Sequence, residues 1–227
     1  MKLSVIIPVY NEEKTVAEVI RAVKACGVAD LEIVVVNDCS SDQTGDVLRD
    51  FVDDPQVVIV THKVNQGKGA AIRTGQSHTT GDAVVIQDAD LEYDPRDLPR
   101  LFRLFECGMA DAVYGSRYSG NEKMVDKYWH YLVNRFLTTF SNVLSNLHLT
   151  DMETCYKMVR GDIFRGLELT ADRFGIEPEL TAKLADLELR IYEVPISYRP
   201  RTSSCGKKIG WKDGLAAMWF IVRYNLF

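Results

Sequence analysis

Asp88 and Asp90 stand one residue apart, directly after the run Ala83-Val84-Val85-Ile86-Gln87. A buried strand delivers such a pair to one spot beyond its carboxyl end, where both carboxylates can turn to one hard cation. Mg2+ or Mn2+ prefers oxygen ligands and commonly bridges a diphosphate. Glu92 repeats the spacing and completes an expected metal set of Asp88, Asp90 and Glu92. The plainer reading is a solvated acidic turn or a helix N-cap.

Other segments carry complementary chemistry. Asp38, in Asn37-Asp38-Cys39-Ser40-Ser41-Asp42, can accept a hydrogen bond from a nucleobase N–H, or be a turn aspartate. Gly67-Lys68-Gly69 at a helix start resembles a phosphate cradle, with Lys68 either a ligand or a solvated lysine. Arg117, ending Gly115-Ser116-Arg117, can fork onto a phosphate or form an ion pair. Arg199 to Lys208 reads as a basic loop able to neutralise a leaving diphosphate. GxxxxGK[ST] is absent, and no GxGxxG follows the first strand, which counts against a dinucleotide oxidoreductase. Chemistry that activates a hydroxyl needs a base, and Asp90, Glu153, Glu177 and Glu179 are the candidates. The two glutamates at 177 and 179 also suit the first turn of a helix.

These residues need elements to aim them. Strands are expected at Leu3–Pro8, Glu32–Val36, Val57–Thr61, Ala83–Gln87 and Ala112–Gly115. They are near-continuous apolar runs, as parallel strands buried on both faces require. Helices are expected near Thr15–Ala25, Thr44–Asp53, Ala70–Ser77 and Asp97–Cys107, so the pattern is α/β with a doubly wound, mostly parallel sheet. Ligands then bind beyond the carboxyl ends of the strands, where every following segment is polar, charged or glycine-rich. Farther on, Tyr128–Leu147 and Glu177–Leu187 read as helices and Arg190–Tyr198 as a strand. No linker is legible. The whole chain, 1–227, is taken as one domain, in two halves that divide at about residues 118 and 119.

Bulk properties set limits. The 227 residues are 46% hydrophobic and 26% charged, an ordinary globular balance. A net charge of −5 argues against a nucleic-acid partner. Seven basic and two acidic residues nevertheless fall between Arg190 and Phe227, a local basic segment suited to phosphates or an anionic membrane. Five scattered cysteines give no disulfide framework or zinc site and fit a reducing, cytoplasmic setting. No signal peptide and no spanning apolar run is read, so a cytoplasmic protein is expected, either free or peripheral on the cytoplasmic face of a membrane. Tyr128, Trp129, Tyr131, Phe136 and Phe140, with the apolar stretch Trp211–Phe227, suit a surface resting in lipid headgroups. The same stripes can instead close the core or form a homodimer interface.

The segments VIIPVYNEE, VVVNDCSSDQT, NQGKGAAIRTG, VVIQDADLEYDP, GSRY and EVPISYRPRTSSCGKKIGWKDG together resemble family 2 glycosyltransferases of the dolichyl-phosphate mannose synthase and polyprenyl-phosphate type. The resemblance runs from about Leu3 to the basic tail. It implies a GT-A fold and inverting transfer from a GDP- or UDP-sugar to a lipid phosphate, with the nucleotide-sugar half running to about residue 118 and the acceptor half from about 119. By position it implies that Pro8, Tyr10, Glu12 and Asp38 hold the nucleoside, Asp88, Asp90 and Glu92 the metal, and Arg117, Arg201 and Lys207 the phosphate charge. Two departures stand out. Many relatives carry C-terminal membrane helices that are not read here, and Thr154-Cys155-Tyr156-Lys157 replaces a Ser-Gly-Phe-Arg type sequence. The alternatives are transfer to a saccharide or small hydroxyl acceptor, and a non-catalytic nucleotide-sugar-binding protein.

Overall fold

The computed structural model describes residues 1–120, 127–173, 175–201 and 211–227. β1 (Leu3–Val9) and β2 (Leu31–Asn37) are buried along almost their whole length, which is what their unbroken apolar sequences demand. β1 pairs in parallel with both β2 and β4 (Ala83–Ile86), and β2 with β3 (Val57–Thr61). The crossover helices α1 (Val16–Lys24) and α4 (Leu98–Glu106) bury clean stripes: Val16, Val19, Ile20 and Val23 on the first, Leu98, Leu101, Phe102 and Phe105 on the second. That i, i+3, i+4, i+7 spacing fixes which face meets the sheet. Between them come the short α2 (Thr44–Leu48) and α3 (Lys68–Gln76).

The sheet has seven strands in the order β3-β2-β1-β4-β6-β5-β7, so strands from both halves of the chain share it. β5 (Ala112–Ser116) does not touch β4. Between them lies β6 (Lys157–Arg160), antiparallel to both. β6 and the helix after it, α6 (Gly161–Gly166), are not legible in the sequence: a four-residue strand opening on a lysine carries no alternation to read. β7 (Ile191–Pro195) runs parallel to β5 and is shorter than the expected Arg190–Tyr198. Pro195 closes it, having no N–H for the ladder. The chain then continues extended, through a single bridge from Tyr198 to Tyr93, toward the end of β4.

Because β6 alone opposes the other strands, its beginning lies beside their carboxyl ends. The loops after β1, β2, β4 and β5 and the loop before β6 therefore border one edge of the sheet. Behind it α5 (Tyr128–Ser145), α7 (Ile176–Ala185) and α8 (Trp211–Leu226) pack together. Leu137, Met152, Ala217 and Ile221 form a small core of their own there. Among the described residues, no helix is long and apolar enough to cross a membrane.

Candidate active site

The loops after β1 and β2 are stitched together before any ligand arrives. The Asn11 N–H donates to Ser40 Oγ, and Asn11 Oδ1 accepts from the Ser41 N–H, with Asn11 in the left-handed region at φ 56°. The Glu12 N–H donates to Thr44 Oγ1, and the Glu13 N–H to Asp42 Oδ2. This leaves the Tyr10 ring 47% exposed over the edge, with Pro8 half-buried behind it. Asp38 is already bonded within the protein. It is 2% exposed, and its carboxylate accepts from the N–H groups of Gln66 at 2.9 Å and Gly67 at 2.7 Å, with His62 Nδ1 at 2.7 Å.

That arrangement changes the reading of Gly67-Lys68-Gly69. The amides at this turn already face an anion, the Asp38 carboxylate, and the Ala70 N–H donates to the Asp172 carbonyl. The glycines serve close packing. A Cβ at Gly69 would lie 2.1 Å from the Ala171 carbonyl oxygen, and one at Gly67, where φ is +99°, 2.3 Å from that of Asp172. Lys68 itself crosses to the loop after β4. Its Nζ lies 2.8 Å from Asp88 Oδ1 and 2.8 Å from Glu177 Oε1. Burial alone would lower the Lys68 pKa, but these two carboxylates outweigh it and hold the ammonium charged.

Asp88 and Asp90 emerge from β4 into the same space. Burial, then the charges of Asp88 and Glu92, push the Asp90 carboxyl up to about 7. Crowded, partly desolvated carboxylates are the electrostatic environment that a divalent cation relieves. Glu92 is drawn elsewhere. Its Oε2 accepts from the Tyr198 hydroxyl at 2.5 Å and its Oε1 from the Arg201 N–H at 2.8 Å. Among the described residues no three His, Cys, Asp or Glu side chains converge as a metal cage, so the expected set of Asp88, Asp90 and Glu92 is not assembled as one. Asp88 and Asp90 fit a cation that takes its remaining oxygens from phosphate and water, as Mg2+ commonly does.

Arg201 ties the site together across 189 residues of sequence. Its Nη1 and Nη2 fork onto the Glu12 carboxylate at 3.1 and 2.7 Å, and its Nε donates to the Asp90 carbonyl at 3.0 Å. The loop after β1, the loop after β4 and the segment after β7 thus meet at one guanidinium. Lys207 and Lys208 lie outside the described residues.

Arg117 takes the ion-pair alternative. Its Nε and Nη2 each lie 2.7 Å from an oxygen of Asp151, which is 0% exposed. The guanidinium also lies over the rings of Tyr118 and Tyr198. Of the candidate bases, Glu179 is occupied. It accepts the N–H groups of Thr170 and Ala171 and pairs with Lys183. Glu177 holds Lys68. Glu153 is pushed up to about 7 by burial and by Glu177, with Lys157 and Arg117 pulling the other way.

Lys157, Asp151 and Tyr198 escape a reading of the sequence. Lys157 is fully buried, and its Nζ donates to the carbonyls of Met152 at 2.7 Å and Thr154 at 2.5 Å. The loop before β6 is wrapped around this ammonium, and only the Thr154-Cys155-Tyr156-Lys157 stretch hinted at it.

Residues 4–167 match the model of the family described as glycosyl transferase family 2. An undecaprenyl-phosphate mannosyltransferase of Micrococcus luteus is 30% identical over 246 aligned positions, covering 100% of this chain and 99% of that protein. An undecaprenyl-phosphate 4-deoxy-4-formamido-L-arabinose transferase of an Enterobacter species is 38% identical over 60% of this chain. The alignment spans 43% of that protein, and 53% of a Haloferax volcanii low-salt glycan biosynthesis hexosyltransferase, so the match covers about half the length of these relatives. Among solved structures, glucosyl-3-phosphoglycerate synthase from Mycobacterium tuberculosis in complex with UDP superposes with a TM-score of 0.76. It covers 99% of this chain and 80% of that one at 21% identity. The shared fold is GT-A.

Proposed function

This chain belongs to glycosyl transferase family 2, and on that premise we propose that it transfers a hexose, of mannose or glucose type, with inversion from a GDP- or UDP-sugar to a polyprenyl or dolichyl phosphate. The observation that carries the reading is the convergence of Asp88, Asp90, Glu12 and Arg201 at one sheet edge. Tyr10 offers an exposed ring to stack on a base, and the neighbouring loops are rigidly stitched to receive it. Asp88 and Asp90 would hold Mg2+ or Mn2+, which offsets the charge of the departing nucleoside diphosphate. A solved structural neighbour in complex with Mn2+ and UDP-glucose supports that cation class. Arg201 exchanges its Glu12 partner for phosphate oxygen when the donor is bound, while Lys68 keeps Asp88 in place.

A lipid phosphate is already anionic near neutral pH and needs no strong base to attack the anomeric carbon. The assignment of Glu179 and Glu177 to other partners suits such an acceptor. The Micrococcus luteus relative, aligned over almost its whole length, supports it too. The outward faces of α5 and α8 supply a membrane-facing surface. Tyr128, Trp129, Val133, Phe136 and Val143 are exposed on the first, and Leu215, Trp219 and Leu226 on the second. α5 holds no acidic residue. The test is release of GDP or UDP from a panel of sugar nucleotides with Mn2+, with and without a polyprenyl phosphate. Acceptor-dependent release with one donor is expected. Release stimulated only by soluble saccharides would replace the lipid acceptor, and absence of nucleotide binding altogether would overturn the reading.

A further inference from the structure

Three buried side-chain atoms have no hydrogen-bond partner among the described residues: Ser119 Oγ, Glu153 Oε1 and Thr154 Oγ1. Folded proteins rarely leave such atoms unpaired, and an exception calls for an explanation such as a catalytic role or a bound water or ion. All three lie on just two segments, 116–120 after β5 and 151–155 before β6. These segments are bound to each other. Ser116 Oγ lies 2.6 Å from Thr150 Oγ1, and Asp151 receives both the Arg117 N–H and its guanidinium. They also adjoin the metal loop, because the Cys155 thiol contacts the Ile86 carbonyl at 3.4 Å and the Tyr156 hydroxyl donates to Gln87 Oε1 at 2.5 Å.

We infer that these two segments form the pocket for the sugar being transferred, and that Glu153 Oε1 accepts a hydrogen bond from one of its hydroxyl groups. The inference rests on the nucleotide-sugar reading above. A carboxylate oxygen needs a donor. Among the described residues the nearby cations do not provide one: Lys157 is committed to the carbonyls of Met152 and Thr154, and Arg117 to Asp151. They compensate the charge of Glu153 and leave Oε1 open. A phosphate monoester, mostly a dianion at neutral pH, then brings no donor and would be repelled by the carboxylate, so the acceptor headgroup does not suit this position. A sugar does suit it, since each hydroxyl donates and accepts. Ser119 and Thr154 add two unpartnered hydroxyls of the same dual character on the same two segments. A site built to bond a hydroxyl rejects analogues that lack it, which makes Glu153 a specificity-determining residue.

The experiment compares the wild type with E153Q, E153A and T154V, using release of UDP or GDP from a panel of UDP- and GDP-sugars with Mn2+. For the best donor, E153A is expected to lower kcat/KM by about 10- to 100-fold, the scale of a lost charge-assisted hydrogen bond. The inhibition constant of the free nucleotide should stay within about twofold. E153Q keeps a carbonyl at Oε1 and should lose less. T154V, near in shape, should lose a few-fold and carries the test if E153A does not fold. An unchanged donor kcat/KM in E153A and T154V would overturn the inference. So would an equal loss of free-nucleotide affinity, which would mark a purely structural role. No binding of any nucleotide by the wild type would overturn the nucleotide-sugar reading itself, and the inference with it.

Discussion

Asp90 is the residue whose loss separates chemistry from fold. Its side chain accepts one backbone N–H, from Glu92, and its carboxyl is held up near 7 by burial and by its acidic neighbours. Asp90→Ala should therefore remove nearly all sugar transfer while the thermal transition moves little. Turnover of that variant equal to wild type with EDTA present would sink the metal-dependent mechanism. Arg117 separates the two in the opposite sense. Its forked pair with the fully buried Asp151 means that Arg117→Met strands a carboxylate inside the protein. Breaking a buried pair from one side costs about 3–5 kcal/mol. Urea denaturation should show a loss of that order, whereas a side chain waiting only for phosphate would leave stability unchanged.

At the scale of elements, α3 and β2 carry opposed effects that can be decided. Alanine is a better helix former than glycine by about 1 kcal/mol, so Gly69→Ala in α3 would stabilise an isolated helix. Here the new Cβ would fall 2.1 Å from the Ala171 backbone oxygen, which cannot rotate away. Overpacking costs about 1–3 kcal/mol, so the net effect should be destabilising, read as a lower Tm. On β2, burial would raise the pKa of Glu32. Instead the Lys2 ammonium, the hydroxyls of Ser4 and Thr80 and the Thr80 N–H bring it down to about 2. A folded pKa below the unfolded value gives stability that is complete above roughly pH 5 and lost as pH falls toward 2. Glu32→Gln should thus be less stable than wild type at pH 6, and the gap should shrink by pH 3. A gap that stays constant between those pH values would show that Glu32 does not carry the ionic contribution.

At the scale of the whole molecule, α5 and α8 turn large apolar side chains outward. Trp129 is 72% and Phe136 54% exposed, on a helix without acidic residues. A lipid phosphate lies at headgroup depth, so a protein that uses it gains from lying on the surface. Sedimentation with anionic vesicles should carry the protein down at low salt, less so as salt rises, and much less for Trp129→Ser with Phe136→Ser. If the wild type stays in the supernatant at low salt, a soluble saccharide becomes the better acceptor.

The parallel core, its amphipathic helices and the placing of Asp88 and Asp90 after β4 were readable because they depend on local periodicity alone. Unbroken apolar runs and stripes at helical spacing leave one packing solution, and a carboxylate pair after such a run must emerge at the sheet edge. The resemblance supplied the family. What the sequence could not determine are pairings between distant side chains. Lys68 on Asp88, Arg201 on Glu12, Arg117 on Asp151 and Glu92 on Tyr198 each join residues between 20 and 189 positions apart, and a single charge in a sequence does not name its partner. The antiparallel β6 was hidden for a related reason. Its four residues hold no period, and it exists because β4 and β5 leave a gap that Lys157, capped by two carbonyls, can help to fill. Only the tertiary structure, by fixing which charges are buried together, decides which of them remain available for a substrate.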